Sequence, residues 1–166
     1  VFDLRDEIDA KLGSGVFITA YIAEARTGDM LLQAPLMELL HNAAELRAAD
    51  DRSDLSPDSM TRQPYLLKSF DTDTGLPFRG LFTVADAVDN WLRFARGITL
   101  EDASDDEVKL AVHYLLLKES TKQLQSNLSV LATHETRIVL GQEIDYWKSP
   151  ALLFSVRADN DALGGR

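Results

Sequence analysis

The residues best suited to chemistry lie in Ser69–Gly80, SFDTDTGLPFRG. Asp73-Thr74-Gly75 spells the triplet with which aspartic proteases hydrolyse peptides, two carboxylates sharing one proton across a dimer interface. That chemistry wants the aspartate at the end of a buried strand, with apolar residues before it and a small residue after the glycine. Here Asp71 and Thr72 precede Asp73, and Leu76 and Pro77 follow Gly75. The same letters resemble the opening of a calcium loop, but a loop counted from Asp71 reaches Phe82 where a bidentate Glu belongs. A solvated turn shaped by Gly75 and Pro77 accounts for the stretch without a ligand.

Other candidates are set against structural roles. Ile138-Val139-Leu140-Gly141 is similar to the apolar-apolar-Gly segment behind the active loop of retroviral-type proteases, which keeps an Asp73 hydrolase as one alternative reading, beside a free-standing soluble ligand-binding domain. Glu101–Glu107, EDASDDE, gathers carboxylates ahead of a helix, where they complement its dipole and free amides. His41, His113 and His134 show no metal-ligand spacing, and His134-Glu135 lacks the second His of a zinc-protease helix because position 138 is Ile. No Gly-x-Ser-x-Gly elbow or phosphate-binding loop occurs. Trp91, Phe94 and Tyr114 suit either an apolar groove or a core. Asn127-Leu128-Ser129 is a glycosylation sequon. No catalytic residue, metal ligand or cofactor is assigned, and the expectation is a protein that is not an enzyme.

Composition narrows the classes. The 166 residues, 45% hydrophobic, suffice for one domain with a core. A net charge of −10 argues against nucleic acid and anionic lipid as partners. The absence of cysteine excludes disulfides and thiolate chemistry. No apolar run approaches the roughly 18 to 20 residues that cross a bilayer. The first residue is Val rather than Met, so a piece of a longer protein is expected.

Elements follow from periodicity. Val1, Leu4, Ile8 and Leu12 predict a short helix, and Val16–Ala25 a strand that, apolar on both faces, should be central in a sheet. Gly28-Asp29 predicts a turn. From Pro35, the stripe Leu36, Leu39, Leu40, Ala43 and Leu46 predicts a helix. A polar loop follows at about 50–64. Thr83 with Asp86, and Ser104 with Glu107, form capping boxes for two further helices, the first stopped by Gly97. Thr136–Gly141 and Ala151–Ala158 read as strands separated by a turn at Pro150, and about 159–166 as an outgoing linker. The expectation is a single α+β domain over 1–166, its helices packed on one face of a small mixed sheet.

The order of segments resembles a known family. VFITAYIAEARTGDMLLQAPLMELLHNAAELRA is similar to the start of the first extracytoplasmic loop of MmpL-like, hydrophobe/amphiphile exporters of the resistance-nodulation-division (RND) superfamily. GLFTVADAVDNWL, GITLEDASDDEVKLAVHYLL and SPALLFSVRAD resemble the segments that follow there. The chain departs from that pattern through insertions at about 50–77 and 135–148. The resemblance implies a porter-subdomain-like two-layer sandwich on the extracytoplasmic face of the membrane, part of a multi-pass protein. Its implied partners are the parent's transmembrane helices and second extracytoplasmic loop, and a hydrophobic or amphiphilic small molecule or lipid. A homo-oligomer through an unpaired sheet edge is a further expectation. No functional residue of the family maps onto this chain.

Overall fold

Among the described residues nine elements follow one another: β1 (Val16–Glu24), α1 (Gln33–Asp51), β2 (Lys68–Phe70), β3 (Pro77–Arg79), α2 (Val84–Arg96), α3 (Asp105–Leu117), β4 (Thr133–Val139), β5 (Gln142–Lys148) and β6 (Ala151–Asp159). The computed structural model describes residues 16–51, 66, 68–70, 77–117 and 124–159. The expected N-terminal helix, most of the polar loop, the 71–76 turn with Asp73, and residues 160–166 lie outside them. The class is α+β, as the periodicity required. Among the described residues the strands form three two-stranded ladders, β1 with β6, β2 with β3 and β4 with β5.

The chain divides into two compact units. One comprises Tyr21–Ala44 and Phe82–Phe154. Its core gathers Leu31, Leu36, Val88, Leu92, Leu100 and Val108, all fully buried, with Ala111, Val112, Leu115 and Leu152 around them. The stripes on all three helices supply this core as their spacing predicts. Their edges differ: Leu46 on α1 and Ala95 on α2 are exposed, and Trp91 is half-buried. The loop between α2 and α3 is held by Asp89, whose carboxylate accepts from the Leu100 amide (2.8 Å) and from Arg93 Nε (2.7 Å).

Both capping boxes form. Thr83 Oγ1 accepts from the Asp86 amide, and the Asp86 carboxylate accepts from the Thr83 amide at 2.8 Å. Gly97 ends α2 in the left-handed conformation, φ 70°, its amide donating to Arg93 O. At α3, the Ser104 amide and hydroxyl both donate to Glu107 Oε2 at 2.9 Å. Those bonds, first among several causes, hold the Glu107 carboxyl below its ordinary 4.5. A lowered carboxyl stabilises the fold above about pH 4.5, and the contribution is lost as pH falls through the folded value. Ser104→Ala is therefore expected to reduce the slope of stability against pH on the acid side of 4.5, measured by urea unfolding across that range.

β4 and β5 correct the expected run of two C-terminal strands. Pairing runs without a bulge from Thr133↔Lys148 to Val139↔Gln142, so the 135–148 insertion is a hairpin closed by Leu140-Gly141. Periodicity hid it because no polar turn residues separate the strands. Both turn residues have positive φ, 50° at Leu140 and 78° at Gly141, as a type I′ turn demands. Leu140 is half exposed and gains little packing there. Leu140→Asn is expected to stabilise the fold by about 1 kcal/mol by relieving left-handed strain, read as a raised urea midpoint.

The second unit comprises Val1–Ala20, Glu45–Leu81 and Ser155–Arg166. Its described part holds the β2–β3 ladder, with Lys68↔Arg79 and Phe70↔Pro77 in register. Arg47 Nη2 donates to Leu81 O (2.9 Å), and Asp50 Oδ2 accepts from the Leu66 amide (3.1 Å). Leu66 bridges Ala158 and presses against Gly80, whose φ of 72° and missing Cβ leave room for it.

β1 departs from expectation. Two contacts fix its direction against β6: Ala25 N–H donates to Pro150 O, and Tyr21 stacks on Phe154 at 5.7 Å. Moving back along one strand moves forward along the other, so the pair is antiparallel. Ile18 and Ile22 are 59% and 69% exposed, and β6 is the one strand paired with β1 among the described residues. Apolar residues on both faces thus accompany a solvent-facing strand, because composition records hydrophobicity and not whether a neighbour covers it.

Candidate functional site

The most highly constrained polar cluster centres on Lys109, which sequence reading passes over. Lys109 sits on α3 and its side chain is wholly enclosed. Nζ donates to Asp29 Oδ2 and to Trp147 O, each at 2.6 Å, and lies 4.8 Å from the centre of the Tyr146 ring. Asp29 comes from the Gly28-Asp29 turn, where Gly28 adopts φ 77°. Its other oxygen accepts from the Leu31 amide (3.0 Å) and the Ser149 amide (3.2 Å). Ser149, also fully buried, accepts from the Ser129 amide and donates to Ala151 O.

Burial pushes the Lys109 ammonium below its usual value, and Asp29 opposes that shift. Burial likewise raises the Tyr146 phenol. A lysine of lowered pKa is a familiar nucleophile, yet an enclosed ammonium whose donors are engaged meets no substrate in this conformation. The cluster works as a clamp: α3 holds the turn before α1 and the β5–β6 corner through one charge. The signal for it was present in the sequence. Lys109 stands within VKLAVHYLLL, where Val108, Leu110, Ala111 and Val112 are all buried, so a helix apolar on more than one side carries the lysine inward.

A second group lies on the hairpin. His113 and His134 each place Nδ1 3.8 Å from a different oxygen of Asp145. His113 Nδ1 already accepts the Asp145 amide at 2.9 Å, which occupies its lone pair. His134 stacks on Trp147 at 4.3 Å. Among the described residues, no set of three or more His, Asp or Glu side chains is arranged to hold a metal ion.

The remaining candidates disperse into structural roles. Three carboxylates of EDASDDE serve structure: Asp102 accepts from Thr99 Oγ1 and Glu107 closes its box, both locally, while Asp105 Oδ1 caps the distant α1 through the Gln33 amide at 2.8 Å. Ile138–Gly141 is the end of β4 and the hairpin turn, and Asp73 lies outside the described residues. Trp91 and Tyr114 stack at 5.6 Å, with Tyr114 Oη donating to Gln142, while Phe94 is 95% exposed. The sequon asparagine donates Nδ2 to Leu153 O at 2.7 Å, a bond that a glycan on that nitrogen would disturb. No helix among the described residues is long and apolar enough to cross a membrane. No family model, curated protein or solved structure matches this chain.

Proposed function

We propose that the chain is an extracytoplasmic loop domain of a multi-pass membrane exporter, contributing to the capture or passage of hydrophobic or amphiphilic molecules without catalysis of its own. The reading rests on the ordered resemblance of its segments to the first large loop of MmpL-like RND exporters. One structural observation supports it: β1 and β6, the first and last described strands, pair with each other, and the Ala25–Pro150 and Tyr21–Phe154 contacts make the pair antiparallel. Entering and leaving strands that lie side by side suit a loop inserted between two membrane segments. The strand, Gly-Asp turn and helix of the resemblance are also realised, as β1, Gly28-Asp29 and α1, with Asp29 anchored by Lys109.

The test is the complete reading frame around this chain. Apolar segments of about 20 residues before Val1 and after Arg166, with several more beyond, are the expected result. A frame that starts and stops near these residues, without such segments, would overturn the reading.

A further inference from the structure

We infer that β4 is a self-recognition edge, through which two copies of this chain pair antiparallel about a two-fold axis at Thr136. The inference is independent of the exporter reading and rests on three observations.

First, the hairpin has one covered edge and one open edge. α3 covers β5: the Asp145 amide leaves the ladder for His113 Nδ1 and the Trp147 carbonyl accepts from Lys109. β4 has no strand beyond it among the described residues, and six of its seven residues are exposed, Ile138 by 78%.

Second, the backbone phase of that edge follows from the turn. A two-residue hairpin closes on a hydrogen-bonded pair, here Val139↔Gln142, so alternate residues back along β4 point into the ladder. His134, Thr136 and Ile138 therefore turn their N–H and C=O groups outward. Asp145, opposite Thr136, confirms the phase, since its own amide points away from β4. The edge lacks three of the usual protections against pairing: no proline, no lysine and no bulge interrupts THETRIV.

Third, the charges are complementary to themselves. A two-fold axis at Thr136 pairs His134 with Ile138 and Thr136 with Thr136 through the outward groups. It also sets Glu135 opposite Arg137 twice, at the close non-hydrogen-bonded positions where side chains meet best. An axis at Glu135 or Arg137 would oppose like charges. An axis at His134 or Ile138 would leave less than half of the strand paired. Glu135 and Arg137 already form an ion pair within one copy, so they share a face and are placed to exchange partners.

The 166-residue chain is expected to show a concentration-dependent dimer in sedimentation equilibrium. Thr136→Pro removes an outward N–H and no ladder bond, so it should abolish the dimer while leaving the circular dichroism spectrum unchanged. Glu135→Arg and Arg137→Glu should each weaken self-association roughly tenfold by opposing like charges. Mixing those two variants should restore a dimer containing one copy of each, a result that a folding defect cannot produce. A wild-type chain that stays monomeric at the highest attainable concentration would overturn the inference. So would a dimer indifferent to Thr136→Pro, or a mixture that fails to associate.

Discussion

Asp29→Ala is expected to lower the unfolding free energy by about 3–5 kcal/mol, because it leaves the enclosed Lys109 ammonium without its anion. The Leu31 and Ser149 amides lose their acceptor in the same step. Lys109→Met should cost less, since the Asp29 carboxylate keeps both amide donors and an 11% exposed side chain. The double variant Asp29→Asn with Lys109→Met should recover part of the loss, as replacing a buried pair outright is often close to neutral. Urea unfolding of the wild type and these variants measures the coupling. The pH dependence gives a second readout. Burial sets the folded Lys109 below its ordinary 10.5, so in that window the unfolded chain holds more protons and wild-type stability rises with pH. Below the folded value both states are protonated and the contribution is flat. Lys109→Met should lack the alkaline rise.

Leu92→Ala is expected to cost about 2–5 kcal/mol. Leu92 is fully buried at the centre of the stripe that α2 turns towards Leu31, Leu36 and Leu100. Truncation removes apolar contacts and leaves a cavity among helices whose backbones are fixed by caps at both ends of α2 and at the start of α3. Leu92→Met, which keeps the volume, should cost less than about 1.5 kcal/mol. Equal costs for the two variants would mean that shape at this position, rather than buried volume, sets the stability.

Sequence carried the helical half of the fold well because helices announce themselves locally. Thr83 with Asp86 and Ser104 with Glu107 are short-range partners, and the apolar stripes have a single period. The strands were harder. The β4–β5 hairpin turns on Leu140-Gly141, residues that read as a continuation of TRIVLG, and only the cross-strand register separates them. β1 looked central because coverage depends on neighbours far away in the sequence. The burial of Lys109 is legible in its apolar helix, but its partners are not, because Asp29 and Trp147 lie 80 and 38 residues away. Of the EDASDDE carboxylates, Glu107 caps the helix that follows, as its position predicts, whereas Asp105 caps α1, a helix distant in sequence.

The central claim, an extracytoplasmic domain of a membrane exporter, is tested most directly by asking which side of the membrane the domain occupies. Val130 is fully exposed, and the chain contains no cysteine to compete with a probe placed there. Val130→Cys, introduced into the complete protein with cysteines elsewhere replaced, should react with a membrane-impermeant maleimide in intact cells and fractionate with the membrane. Labelling that appears only after the membrane is breached, or recovery of the protein in the soluble fraction, would contradict the account.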